Sequence, residues 1–221
     1  MKATSRSSRT QDYGNADATA TRPTAVEIAY WFLRLNGCFS MTNFLLHPPG
    51  RGPLRTDADV VAVRFPNRHE HDMVDHPLFQ KSTRIDFVIA EVKARQPCSL
   101  NGPWTNRARQ NVHYLLEAVR PLPQAEVRVA AEALYRAGSY TNDRVRARFF
   151  AFGGSRSAEL GNAYAGVPQL TWSEVLQFMH SRYRAYRRQK KDNEQWDGTG
   201  RWLYRTAIEM PIDAFEAAAR P

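Results

Sequence analysis

The chain has 221 residues and a mass of 25.3 kDa, with 43% hydrophobic and 11% aromatic residues, which suits a packed globular protein with a full core. Lys and Arg number 31 against 22 Asp and Glu, and this formal charge of +9 favours polyanionic partners, nucleic acid before acidic membrane. No apolar run approaches the roughly twenty residues of a membrane span, the N-terminus lacks a signal core, and Cys38 and Cys98 lack the spacing of a zinc site or disulfide framework. A soluble, cytoplasmic protein with no membrane partner is therefore expected.

Residues 1–22 are rich in Ser, Thr, Arg and Ala and read as a flexible basic tail. Residues 23–221 read as a single domain whose last part, from about residue 171, is a helical and basic extension. Thr24 can cap a first helix, since Ala25, Ile28, Ala29, Phe32 and Leu33 recur at spacings of three and four until Asn36-Gly37. Phe39 to Leu46 reads as a strand. The prolines and glycines of residues 47–53 then enforce a loop. Val60 to Phe65 and Ile85 to Lys93 read as two further strands with apolar residues on both faces, hence central in their sheet. Between them, residues 66–83 read as a long surface loop.

Trp104 to Val119 is expected to form one helix, closed by Pro121 and Pro123. A further helix over Ala125 to Ala137 stops at Gly138, and Val145 to Phe152 supplies a fourth strand. The last strong helix begins at Thr171 and runs into Arg182–Lys191, and residues 202–221 form an amphipathic tail. Helix, three strands, helix, strand and helix is an α/β order in which the first strands can pair as a meander.

The chemistry-bearing residues cluster in three short runs. Asp59 opens an apolar strand, with Asp57 two residues earlier as its competitor for the same role. Glu91 and Lys93 end the next strand, and alternation places them on one side. Phe87 and Ile89 share that line, so a carboxylate and an amine there are costly to bury unless something neutralises them. Hard carboxylate oxygens from Asp59 and Glu91 suit Mg²⁺ or Mn²⁺, and Lys93 is placed to orient the attacking water in a phosphodiester hydrolysis. Gln110 and Tyr114 lie one helical turn apart. Asp86, five positions from Glu91, falls on the opposite face and reads as structural.

These runs resemble the PD-(D/E)xK nuclease superfamily: Asp59 in one strand, Glu91-Val92-Lys93 at the end of the next, and Gln110 with Tyr114 similar to the Q-x-x-x-Y element of RecB-type members. The resemblance covers roughly residues 24–119. The usual proline before the first acid is replaced here by Ala58. It implies a restriction-endonuclease-like core, a central mixed sheet of about four to five strands flanked by helices. It also implies the Val92 carbonyl as a further metal ligand and Glu27, on the first helix, as a holder of a second metal or its water. The expected function is a metal-dependent nuclease acting on DNA in preference to RNA, an effector of phage defence or of a mobile element. The alternative is a nucleic-acid-binding or assembly subunit of the same fold without cleavage.

Arg182, Arg184, Arg187, Arg188, Lys190 and Lys191 concentrate six cations without an acid, a pattern that grips phosphates without reading sequence. Tyr183 and Tyr186 lie among them and could stack bases. Arg107, Arg109 and Tyr114 are expected to hold nucleic acid nearer the site. No base-reading module is evident, so a homo-oligomer or a partner protein is expected to set specificity. Residues 69–76 hold three histidines and three carboxylates and read as a polar loop beside a nucleic-acid channel rather than a transition-metal set.

Overall fold

A computed structural model describes residues 22–47, 55–68, 70, 73–80, 82–187 and 197–221. The basic tail, most of the Pro-Gly loop, His69, His71, Asp72, Arg188, Lys190 and Lys191 lie outside the described residues. Helix α1 (Ala25–Leu35) starts with a capping box: the Thr24 side chain accepts from the Glu27 amide, and the Glu27 carboxylate accepts from the Thr24 amide. It buries Ile28, Ala29, Trp31, Phe32, Leu33 and Leu35.

Three strands follow, β1 (Phe39–Leu46), β2 (Thr56–Arg64) and β3 (Ile85–Val92). They pair antiparallel as the expected meander, and β3 continues parallel to β5 (Val145–Gly153). The short strand β4 (Ser139–Thr141) closes the order β1-β2-β3-β5-β4, and β6 (Gln169–Thr171) joins β5 in parallel. The result is a mixed six-stranded sheet flanked by helices, an α/β arrangement with β2, β3 and β5 internal. The expected four or five strands did not include β4 and β6, whose three residues each leave no periodicity to read.

A parallel pair needs a crossover. Here it runs through α2 (Gly102–Thr105), a 3-10 turn at Arg107–Arg109, α3 (Asn111–Val119) and α4 (Gln124–Ala137). The single helix expected over residues 104–119 is thus broken twice. At Asn106 the side chain accepts from the Ala108 amide and starts a new turn, and at Gln110 a left-handed φ of 56° redirects the chain before α3. After α5 (Ala158–Ala163) come α6 (Trp172–Ala185), α7 (Gly198–Glu209) and α8 (Ile212–Ala219).

Two apolar layers flank the sheet. Val60, Ala62, Val88 and Ala90 pack with α1, α6, α7 and α8, while Val61, Phe87, Ile89 and Phe149 pack with α3 and α4. Alternation holds along β3 and fails once along β2. Ala58 should lie with Val60, yet it belongs to the α3–α4 layer. The fault coincides with a skip in the β1–β2 register, which runs Thr42↔Val60 and then Phe44↔Ala58, passing over Asn43 and Asp59. Asn43 has a φ of 51°, a left-handed conformation that Asn tolerates better than most residues. Among the described residues no helix is long and apolar enough to cross a membrane.

Candidate active site

Asp59 stands where β2 leaves β3 and misses one pair with β1. The β2–β3 ladder runs from Arg64↔Asp86 to Val60↔Ala90 and stops, although one more step would set Asp59 opposite Glu91. Strand β3 stays paired to β5 through Glu91↔Ala151 and Val92↔Phe152, and the Lys93 amide extends that ladder to the Phe152 carbonyl at 2.9 Å. The Val92 amide, left without a β2 carbonyl, donates instead to Asp59 Oδ2 at 2.7 Å. A side chain has replaced the backbone at the fork between two strands.

Glu91 projects from the same fork. Its side chain is 3% exposed, and its Oε1 accepts from Lys93 Nζ at 2.6 Å. Lys93 Nζ donates a second hydrogen bond to Asn101 Oδ1 at 2.7 Å. Burial pushes the Glu91 carboxyl up to about 7, against the pull of Lys93, and the charges of Asp59 and Asp57 push it further in the same direction. Burial also raises Asp59, while its bond from Val92 and the nearby Lys93 oppose the rise. Among the described residues two partly desolvated carboxylates thus share one ammonium, and their negative charge exceeds the positive charge beside them.

The segment after β3 is tied down. Trp172 Nε1 donates to the Lys93 and Ala94 carbonyls at 3.1 and 2.7 Å. The Gly154 amide donates to the Gln96 carbonyl at 2.8 Å, and a Cβ at Gly153 would stand 2.6 Å from the Cys98 amide. Gly153-Gly154 is therefore a backbone contact that seats the loop beside the site.

Asp59, Glu91 and Lys93 are brought together as the sequence led one to expect, and β2 contains both aspartates rather than starting at Asp59. Asp57 is exposed, whereas Asp59 is half-buried and engages β3. The other expectations fare differently. Glu27 is occupied elsewhere: Oε2 accepts from the Thr24 amide and hydroxyl, each at 2.8 Å, and Oε1 accepts from Thr199 at 2.9 Å. Gln110 is an exposed left-handed residue preceding α3, not a member of it. Tyr114 does lie on α3, with the Arg55 guanidinium 4.5 Å above its ring.

Arg182 and Tyr183, expected at the nucleic acid, are structural, whereas Arg107, Arg109, Arg184 and Arg187 are exposed. Arg182, with a side chain 1% exposed, donates to the Val74 and Leu35 carbonyls at 2.6 and 2.9 Å and pairs with Asp75 and Glu70. Tyr183 is fully buried. Arg184 reaches the Ala207 and Ile208 carbonyls at the end of α7, Arg107 is paired with Glu132, and the Arg187 carbonyl accepts from Tyr204. The Arg109 side chain is exposed, while its carbonyl accepts from Arg55. The described part of residues 69–76 is also structural, since Asp75 pairs with Arg64 at 2.6 Å and the His76 amide donates to Asn36 at 2.7 Å. Asp86, fully buried, pairs with Arg146 at 2.7 Å, as its face implied.

Sequence reasoning passed over Asn101 and Arg55. Asn101 precedes Gly-Pro and has the signature of a helix cap, yet its side chain makes no capping bond to α2. Among the described residues no group of three or more His, Cys, Asp and Glu side chains is arranged to hold a metal ion. The donors present are two carboxylates and the Val92 carbonyl. That set fits Mg²⁺ or Mn²⁺, which commonly keep several waters and use one or two protein carboxylates. Comparison with family models, with curated proteins and with solved structures gives no match.

Proposed function

We propose that the protein is a metal-dependent nuclease on a restriction-endonuclease-like core, hydrolysing phosphodiester bonds in DNA in preference to RNA. The observation that carries this reading is the fork between β2 and β3, where Asp59 and Glu91 are held, among the described residues, with one ammonium, Lys93. Burying two carboxylates with one counter-charge is costly, and a divalent cation offsets that cost. The mixed sheet flanked by helices agrees with the resemblance at the level of a generic α/β architecture.

In this reading Asp59, Glu91 and the Val92 carbonyl hold the cation, which supplies charge neutralisation at the scissile phosphate and a more acidic water. Lys93, positioned by Glu91 and Asn101, donates to the attacking water or to a phosphoryl oxygen. Exposed basic residues, Arg109 and Arg187 among them, hold the phosphate backbone without reading its bases. A role as effector in phage defence or in a mobile element is the setting that the resemblance suggests.

The test is cleavage of plasmid, linear duplex and single-stranded oligonucleotides with and without Mg²⁺ or Mn²⁺. Metal-dependent products that vanish in Glu91→Ala and Lys93→Ala support the reading, and cleavage unchanged in both variants overturns it. One observation favours a second reading, a nucleic-acid-binding subunit without cleavage: Glu27 is committed to its capping box and to Thr199, leaving two carboxylates at the fork. Salt-sensitive DNA binding without products under any metal would select it.

A further inference from the structure

The two ends of the sheet are finished differently. Edge strand β4 has three residues, short enough to discourage pairing. Edge strand β1 has eight, Phe39-Ser40-Met41-Thr42-Asn43-Phe44-Leu45-Leu46, with neither a charge nor a proline. Phe39 is 73% exposed and Met41 59%. Phe65, next after β2 and 55% exposed, packs edge-on against Phe39 with ring centroids 5.8 Å apart. Phe39 pairs with Val63 and Met41 with Val61, so these side chains share one sheet face. The α3–α4 layer ends beside them at Val119, leaving a groove of about 520 Å³.

From this we infer that the β1 edge is the interface of a homodimer, in which β1 of one copy pairs antiparallel with β1 of another over residues 38–42. A two-fold axis near Ser40 sets Phe39 of each copy beside Met41 of the other on the same face. The pairing gives partners to ladder groups of the edge that have none among the described residues. Phe39, Met41 and Phe65 together expose on the order of 400 Å². That is roughly half of what a stable interface buries per partner, and the strand edge and groove walls are available for the rest. The chain's own segments outside the described residues have little to cover this face with. Residues 1–21 contain no Leu, Ile, Val, Phe or Trp, residues 48–54 contain one leucine, and residues 188–196 contain one tryptophan. The absence of charge along β1 lets two copies of a chain with formal charge +9 approach at this edge.

The experiment is sedimentation velocity of the full chain from 1 to 100 µM, with amide hydrogen exchange at both ends of that range. The expected result is a species of twice the 25.3 kDa chain mass, with those amides of residues 39–42 that point away from β2 losing protection on dilution. Met41→Lys and Phe39→Ser, both at exposed positions, should leave the circular dichroism and melting profile unchanged while raising the dimer dissociation constant at least 100-fold. A monomer throughout the range overturns the inference, as does a dimer indifferent to both variants. A monomer in which deletion of residues 1–21 exposes the 39–42 amides assigns the edge to the tail instead and also overturns it. Nuclease activity enters none of these readouts.

Discussion

Asp59 accepts a hydrogen bond from the Val92 amide at 2.7 Å, at the point where β2 and β3 cease to pair. This bond makes Asp59 a structural residue as well as a candidate ligand, and two substitutions separate the roles. Asp59→Ala orphans the amide and should cost about 1–2 kcal/mol in urea unfolding. Asp59→Asn keeps an acceptor and should cost under about 1 kcal/mol. Both should abolish metal-dependent cleavage and any Mg²⁺-induced rise in melting temperature, so loss of both with Asn and little loss of stability identifies a ligand.

Glu91 makes stability depend on pH with a definite sign. Its carboxyl rises from an ordinary 4.5 to about 7 on folding, so between those values the folded chain holds a proton that the unfolded chain has released. Metal-free protein should therefore lose stability as pH climbs through this window, by at most about 3 kcal/mol. Glu91→Gln should flatten that decline and be the more stable protein at pH 8. Adding Mg²⁺ at pH 8 should stabilise the wild type and leave Glu91→Gln unmoved. Chemical denaturation at pH 5 and pH 8, with and without the metal, reads all four quantities.

Arg182 distinguishes a buried cation from a phosphate-binding one. Its guanidinium is held by the Val74 and Leu35 carbonyls and by Asp75 and Glu70. Arg182→Met should destabilise the fold by roughly 2 kcal/mol, since it takes the charged donor from the Val74 and Leu35 carbonyls while Asp75 and Glu70 keep Arg64 and Arg68. The slope of log affinity against log salt for DNA should stay as in the wild type. A slope reduced by about one with stability intact would place Arg182 at the nucleic acid.

Asn43 carries the left-handed turn opposite Asp59. Asn43→Gly should hold stability within about 0.5 kcal/mol, because glycine adopts that conformation freely. Asn43→Val should cost about 1–2 kcal/mol. If the turn frees Asp59 from the β1 ladder, the valine variant should also lose cleavage beyond what its stability explains, as measured well below its melting temperature.

Most of the sheet was legible because its information is local. Ile85–Val92 and Val145–Gly153 are apolar runs bounded by polar turns, and Thr24 with Glu27 announces a helix start. The Glu91–Lys93 pairing was legible for the same reason, since two positions on one strand end are near each other in any sheet. Glu27 was read as a site residue because its sequence position suits two roles, and only the arrival of Thr199 from 172 residues away shows which one the fold uses. Arg182 misled through composition: six cations in ten residues look like one surface, but a helix rotates 100° per residue and sends one of them inward to Asp75. The register skip at Asn43 and Asp59 depends on three strands at once and leaves no periodic trace.

Asn101 stands at the head of α2, yet its side-chain oxygen is spent on Lys93 rather than on the helix. One acceptor cannot readily serve both. The four-residue helix therefore starts without a side-chain cap, and the start of the crossover and the fork between β2 and β3 are fastened through the same amide group.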